Sequence, residues 1–198
     1  MRVVAGSARG RRLVAPPGLN VRPTAERVRQ ATFNALEHRG AIREANVVDL
    51  FAGSGGLGIE ALSRGAKYVT FVESDRAALA CIRENLDHLG FTDRATVVRG
   101  DVARFVQSML PPCDLLLVDP PYTFDGWSAL LGAARVRLER PIPDERGIAV
   151  IETAGVFDAP AGWEVVRQQR YGGTVVTFLV PDAMPDASPT SSSDVPTQ

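Results

Sequence analysis

Five residues near the middle of the chain, Val118-Asp119-Pro120-Pro121-Tyr122, set a carboxylate, two prolines and an aromatic ring directly after the apolar run Leu115-Leu116-Leu117. A turn alone needs less. Proline fixes φ and gives up its donor, so Pro120-Pro121 makes a stiff loop whose carbonyls point in set directions. A carboxylate beside such a carbonyl offers two acceptors, a match for an exocyclic NH2 with two hydrogens to donate. That kind of nitrogen is a poor nucleophile, because its lone pair is delocalised into a ring. Acceptors on both hydrogens draw it towards tetrahedral geometry and free the lone pair. Tyr122 adds a face on which a base can stack, worth about 1–3 kcal/mol. Asp119, Pro120 and Tyr122 are the candidate catalytic residues; the competing reading is a strand-ending turn.

A second constellation lies about seventy positions earlier, in Asp49-Leu50-Phe51-Ala52-Gly53-Ser54-Gly55-Gly56-Leu57-Gly58. Gly53, Gly55 and Gly58 match G-x-G-x-x-G between an apolar run and a helical pattern. Glycine lets backbone approach a ligand with no Cβ in the way, although a tight strand-to-helix turn also uses it. A dinucleotide would put its pyrophosphate at the helix N-terminus, where the Asp49 carboxylate is unwelcome. Asp49 suits a ligand with a cationic group, such as the ammonium of S-adenosylmethionine. Glu73 closes the next apolar run, where a carboxylate can accept from ribose hydroxyls. Asp101 can accept from an adenine amino group, or cap the helix that follows it. Asp49, Gly53, Gly55, Glu73 and Asp101 are the candidate cofactor residues.

Both constellations must be carried by a sheet. Residues 46–51, 68–73, 95–99, 115–118 and 147–152 read as strands. They alternate with helical patterns at 57–64, 76–89, 102–110 and 127–138. The strands are continuous apolar runs, as expected when helices cover both faces of a parallel sheet. Residues 163–171 and 174–180 flank Gly172-Gly173, the mark of a tight hairpin. The expected fold is α/β and doubly wound, mostly parallel, with seven strands and an antiparallel C-terminal hairpin. In such a sheet ligands bind beyond the carboxyl ends of the strands at the switch point, so the first and fourth strands should bring Asp119 opposite Gly53–Gly58.

Charge divides the 198-residue chain differently. Net charge is −1, yet residues 1–43 hold nine arginines against Glu26 and Glu37. A block at +7 ahead of an acidic body has the pattern of a basic arm that meets phosphate. Residues 2–5 and 11–15 should form a small hairpin. Thr24 should cap a helix over 25–37 with Val28, Ala31, Thr32, Ala35 and Leu36 on one face. The expected organisation is a basic extension at 1–43, a catalytic domain at 44–180 and a disordered Pro/Ser/Asp-rich tail at 181–198. No run reaches the length of a membrane span and no signal-peptide pattern opens the chain, so a cytoplasmic protein is expected. Cys81 and Cys113 lack the short paired spacing of a metal site, so buried thiols and no metal are expected.

DLFAGSGGLGIEALSRGA together with LLLVDPPY resembles the class I S-adenosylmethionine-dependent methyltransferases that act on exocyclic amines, whose sheet is Rossmann-like. The opening MRVVAGSARGRRLVAPPGLNVRPTAERVRQATFNAL is similar to that of the bacterial RsmD family, the 16S ribosomal RNA guanine-N2 methyltransferases. The resemblance covers about residues 1–180. It implies S-adenosylmethionine as cofactor and one guanine of small-subunit RNA as substrate, in an assembled or assembling particle, with the enzyme acting as a monomer. It assigns Asp49, Gly53, Gly55 and Glu73, and Asp101 less firmly, to the cofactor, and Asp119, Pro120 and Tyr122 to the catalytic loop. It gives Arg9, Arg11, Arg12, Arg22, Arg27 and Arg29 RNA phosphates to contact, and removal of residues 1–20 should then weaken RNA binding more than cofactor binding. An adenine-N6 methyltransferase fits the same catalytic loop. A nicotinamide-dependent oxidoreductase has no use for Asp119–Tyr122, and a non-catalytic RNA-binding protein does not need them.

Overall fold

A computed structural model of the chain describes residues 1–16, 23–138 and 147–182, with backbone alone at 23–25. Arg22 and the tail from 183 onward lie outside the described residues. In chain order the elements are α1 Pro23–His38, β1 Asn46–Leu50, α2 Gly56–Ser63, β2 Tyr68–Glu73, α3 Arg76–Leu89, β3 Ala95–Arg99, α4 Val102–Ser108, β4 Leu115–Val118, α5 Trp127–Arg135, β5 Ile148–Thr153, β6 Trp163–Tyr171 and β7 Thr174–Pro181. A 3-10 turn at Thr92–Arg94, which the sequence did not signal, leads into β3.

One seven-stranded sheet runs β3-β2-β1-β4-β5-β7-β6, with β7 antiparallel to both neighbours and the other pairs parallel. This is the expected doubly wound sheet with an antiparallel hairpin at its end. Side-chain alternation sorts each strand between two cores. Val47, Phe71, Leu117, Val150 and Phe178 face one way, against α1, α2 and α3. Val48, Val72, Val118, Ile151 and Leu179 face the other, against α4 and α5. Because both faces are covered, β4 is apolar at every position. The β1–β4 register is pinned at its lower end by Asp114. Its Oδ2 accepts from the Asn46 N–H at 2.7 Å, and its own N–H reaches Asn46 O at 2.9 Å.

The N-terminal segment departs from expectation. Its two arms meet at one antiparallel bridge, Arg2 with Arg12, not as two strands. Three backbone bonds hold the loop: Val3 N–H to Arg11 O, Gly10 N–H to Val3 O and Leu13 N–H to Met1 O. The arms then bond to the body, because Glu60, Ser63 and Asn85 offer them better partners than a longer ladder would. Helix α1 begins at Pro23, so Thr24 lies inside the first turn, not at the cap. Proline suits that first position, since its missing N–H would be unpaired there in any case. Val3, Ala8 and Leu13 share one core with α1, β1 and α2, so packing is continuous across residues 43 and 44. Among the described residues, no helix is long and apolar enough to cross a membrane, and Cys81 and Cys113 are buried free thiols.

Candidate active site

Strand β1 ends with a sharp reversal. Phe51 has a φ of 58° and Gly53 one of 55°, and for a bulky side chain such as phenylalanine that conformation is strained. Two carboxylates hold the turn that follows. Glu73 Oε2 accepts from the Gly53 N–H at 2.8 Å, and Oε1 accepts from the N–H groups of Ser74 and Asp75 at 2.7 and 2.9 Å. Asp49 Oδ2 accepts from the Gly58 N–H at 2.8 Å. Asn85, fully buried on α3, donates to Ser54 O at 3.1 Å and exchanges two bonds with the Val14 backbone. The N-terminal segment thereby reaches the glycine turn through one side chain.

The three motif glycines do different work. A Cβ on Gly58 would lie 2.3 Å from Phe71 Cε1, so Gly58 lets α2 close onto β2. A Cβ on Gly55 would press on Ile59, Ile82 and Phe71, and the residue caps α2 at a φ of 83°. Only Gly53 fronts open space, with nothing within 4 Å of the Cβ position.

Asp49, 1 % exposed, sits on the α1–α3 face at the carboxyl edge of the sheet. Burial pushes its carboxyl up to about 7; the Gly58 N–H opposes this, while the charges of Asp119 and Glu73 add to it. A cation entering the cleft would relieve that field, so the site fits a ligand carrying positive charge next to a ribose. Glu73 accepts from three N–H groups and, at 3.4 Å, from Ser74 Oγ; a ligand hydroxyl could take the place of that long serine bond, since a carboxylate offers about four lone-pair positions. Asp101 is the N-cap of α4 and accepts from the Arg104 N–H at 3.0 Å. That capping role is the one the structure gives it.

Beyond the last registered pair of β1 and β4, Leu50 with Val118, the chain enters Asp119–Tyr122. The Pro121 carbonyl accepts from the Phe124 N–H at 2.9 Å, which tightens the turn. Desolvation pushes the Asp119 carboxyl up to about 6. The residue as a whole is nonetheless exposed, and water reaching it moderates the shift. Pro120, Tyr122, Phe124, Trp127, Glu152 and Phe157 line a cavity of about 240 Å³. Its wall holds edge-to-face rings, Phe124 to Trp127 at 5.0 Å and Trp127 to Phe157 at 5.0 Å, and Phe51 packs on Phe124 from outside at 5.1 Å. Phe51 opens the glycine turn, so these contacts tie the two sequence motifs together. Tyr122 is 76 % exposed at the rim.

Four site residues were missing from the sequence reading: Phe124, Trp127, Glu152 and Phe157. Aromatic residues within ten positions of the proline pair were the available signal for the first two. Glu152 and Phe157 belong to the β5 end, which no motif marks. A larger groove of about 520 Å³ lies between α1 and β6, lined by Asn34, His38, Arg39 and Arg167. It contains none of these residues.

The arginines divide. Arg9, Arg12 and Arg27 are exposed. Arg11 is also exposed, and bonds to His88 Nε2 and His88 O at 3.1 and 3.2 Å. Arg29 corrects the expectation of an RNA contact: it is 4 % exposed, donates to Arg2 O and lies 3.5 Å from Glu60 Oε2. The amphipathic pattern of α1 hid this, because the partner comes from α2. Glu60 also accepts from the Val4 and Ala5 N–H groups and pairs with Arg64 at 2.8 Å. The buried cluster holds the N-terminal segment to the body. Among the described residues, no group of three or more His, Cys, Asp or Glu could hold a metal ion.

Residues 1–180 match a protein-family model described as Conserved hypothetical protein 95. YlbH of Bacillus subtilis, a candidate rRNA methyltransferase, is 36% identical over 185 residues, covering 90% of this chain and 97% of that protein. Ribosomal RNA small subunit methyltransferase D of Escherichia coli is 33% identical over 184 residues, covering 87% of this chain and 85% of that protein. The solved structure of Escherichia coli yhhF, a candidate methyltransferase, superposes with a TM-score of 0.77 at 31% identity, covering 93% of this chain and 99% of that one. With the glycine turn and the proline loop meeting at one edge of a doubly wound sheet, and a family match spanning nearly every described residue, this chain belongs to the Conserved hypothetical protein 95 family, the RsmD family.

Proposed function

We propose that this protein methylates the exocyclic N2 amine of one guanine in small-subunit ribosomal RNA, with S-adenosylmethionine as donor. The observation that carries the reading is a ring-walled cavity large enough for a base, lined by Pro120–Tyr122 and Phe124, whose Phe124 ring packs on Phe51 at the start of the glycine turn. Small-subunit ribosomal RNA is what the named relative acts on. When bound, S-adenosylmethionine supplies a methyl group activated by its sulfonium charge. Asp49, Gly53, Gly55 and Glu73 are the residues that would hold it.

The chain's own groups do the rest. Asp119 accepts one hydrogen of the amine and the Pro120 carbonyl accepts the other, which localises the nitrogen lone pair. The base must leave its stack to reach them, and Tyr122 offers the replacement stacking face. Phe124, Trp127 and Phe157 wall the space for the base, and the arriving base displaces the water that reaches Asp119, which strengthens the hydrogen bonds to it. Most of the acceleration comes from holding nitrogen, methyl and sulfur in line. Exposed Arg9, Arg11, Arg12 and Arg27 would meet RNA phosphates. Such a substrate places the protein in the cytoplasm. The test is methyl transfer from labelled S-adenosylmethionine to purified small subunits and to naked RNA, followed by nucleoside analysis. N2-methylguanosine is the expected product; N6-methyladenosine, or no label, overturns the reading.

A further inference from the structure

Glu152 belongs to neither motif, yet it stands in the cavity beside the catalytic carboxylate. Strand β5 is parallel to β4, and their last registered pair is Val118 with Ile151. Asp119 and Glu152 come next along the two segments, close enough for their charges to interact. Alternation along β5 turns Glu152 towards the face of Val150, where the charge of Asp49 also reaches it. Glu152 lines the cavity with Pro120, Tyr122 and Trp127. Desolvation pushes its carboxyl up to about 8, the charges of Asp119 and Asp49 push the same way, and Arg29 pulls it down. The position continues a strand that is apolar from Ile148 to Ile151. Packing does not explain a carboxylate there, since a β-branched side chain would extend β5 without the desolvation cost.

A guanine edge does explain it. Beside the C2 amine, guanine presents N1–H, a donor. Adenine presents an unprotonated N1 beside its amine, an acceptor. A carboxylate next to Asp119 therefore attracts one base and repels the other. We propose that Glu152 is the specificity-determining residue of this site, its carboxylate accepting the N1–H of an unstacked guanine while Asp119 holds the C2 amine. The inference rests on the guanine-N2 reading and deepens it. Rejection of adenine follows from the acceptor left unpaired against an acceptor, the stronger form of discrimination.

The experiment compares wild type with Glu152→Gln on small subunits rebuilt with RNA carrying either guanine or 2-aminopurine at the methylated position. 2-Aminopurine keeps the C2 amine but presents N1 as an acceptor. Above about pH 8, where the Glu152 carboxyl is ionised, wild type should strongly prefer guanine. The glutamine amide can donate to N1, so the variant should lose about 10- to 100-fold in kcat/KM on guanine, as for one charge-assisted hydrogen bond. It should gain on 2-aminopurine, reversing the preference. Binding of S-adenosylhomocysteine should stay at the wild-type value. Equal loss on both bases, or an unchanged preference for guanine, overturns the inference, because a residue that merely balances Arg29 would alter stability without altering base choice. Absence of N2-methylguanosine with wild-type protein overturns the functional reading itself, and this inference with it.

Discussion

At the residue scale, Asp49 is buried and Asp119 exposed, yet desolvation pushes both carboxyls upward. The Asp49 carboxyl stands at about 7 in the folded protein against 3.8 as its ordinary value. The folded state therefore holds the extra proton between those values, and the stability due to this group falls as pH rises through that window. Asp49→Asn should raise the Tm of the empty protein at pH 8, on the order of 4 °C, and should remove the fall in stability between about pH 4 and 7. The same variant should bind S-adenosylhomocysteine about 10-fold or more weakly, since the carboxylate facing the ligand's cation is gone. Scanning calorimetry and titration calorimetry read the two effects. Asp119→Ala should lower kcat by about 100-fold or more while leaving cofactor affinity intact, as for removal of one preorganised group. Loss of affinity with turnover preserved would reverse that assignment. Asp119 must be ionised to accept from the amine, so single-turnover rates should rise with pH through about 6.

At the element scale, the glycine turn separates packing from binding. Gly58→Ala places a methyl group against Phe71 and Val69, with contacts of 2.3 to 2.8 Å before relaxation. It should cost about 1–3 kcal/mol of stability through overpacking between α2 and β2. Gly53→Ala meets no neighbour but must adopt a φ of 55°, so it should cost about 1–2 kcal/mol of backbone strain and weaken the cofactor further by standing in its path. Denaturant unfolding with and without S-adenosylhomocysteine distinguishes the two: ligand should rescue Gly58→Ala and not Gly53→Ala. The sequence presented both as one motif. Which face of the turn each glycine occupies depends on β2 and α3, whose arrival no local pattern encodes.

At the scale of the whole molecule, the basic N-terminal segment is part of the core and not an appended arm. Its backbone is held by Glu60, Ser63 and Asn85, and Gly6 packs so closely on Ser63 that a Cβ would lie 1.9 Å from its carbonyl oxygen. Removal of residues 1–16 should therefore unfold or destabilise the whole protein and abolish RNA and cofactor binding together. This changes the expectation of a selective loss of RNA binding, because the bonds lost reach the glycine turn. Replacing Arg9, Arg11 and Arg12 with alanine is the selective experiment. It should leave the Tm within about 2 °C, lower RNA affinity, and reduce the salt slope by about one phosphate contact per arginine engaged. Filter binding across a salt series reads it. An unchanged slope would remove the N-terminal loop from the RNA interface.

The sequence by itself determined the strands and helices of residues 44–180, because most are continuous apolar or 3.6-periodic runs with their own punctuation, while the N-terminal arms formed a single bridge and not the expected hairpin strands. β2, α3, β3, β4 and β6 fall where the pattern puts them. It also determined that Asp49, Gly53, Glu73 and Asp119 gather at one edge, since parallel strands end on the same side and the fold reverses between the first and fourth. Only the tertiary structure decided that Arg29 is buried on Glu60, that Asp101 caps a helix, and that Glu152 stands beside Asp119. The Arg29 and Glu152 roles depend on which residue of a distant element comes near, and sequence periodicity carries a residue's face but not its partner; for Asp101 the sequence offered the local cap beside a ligand contact, and the structure shows the cap.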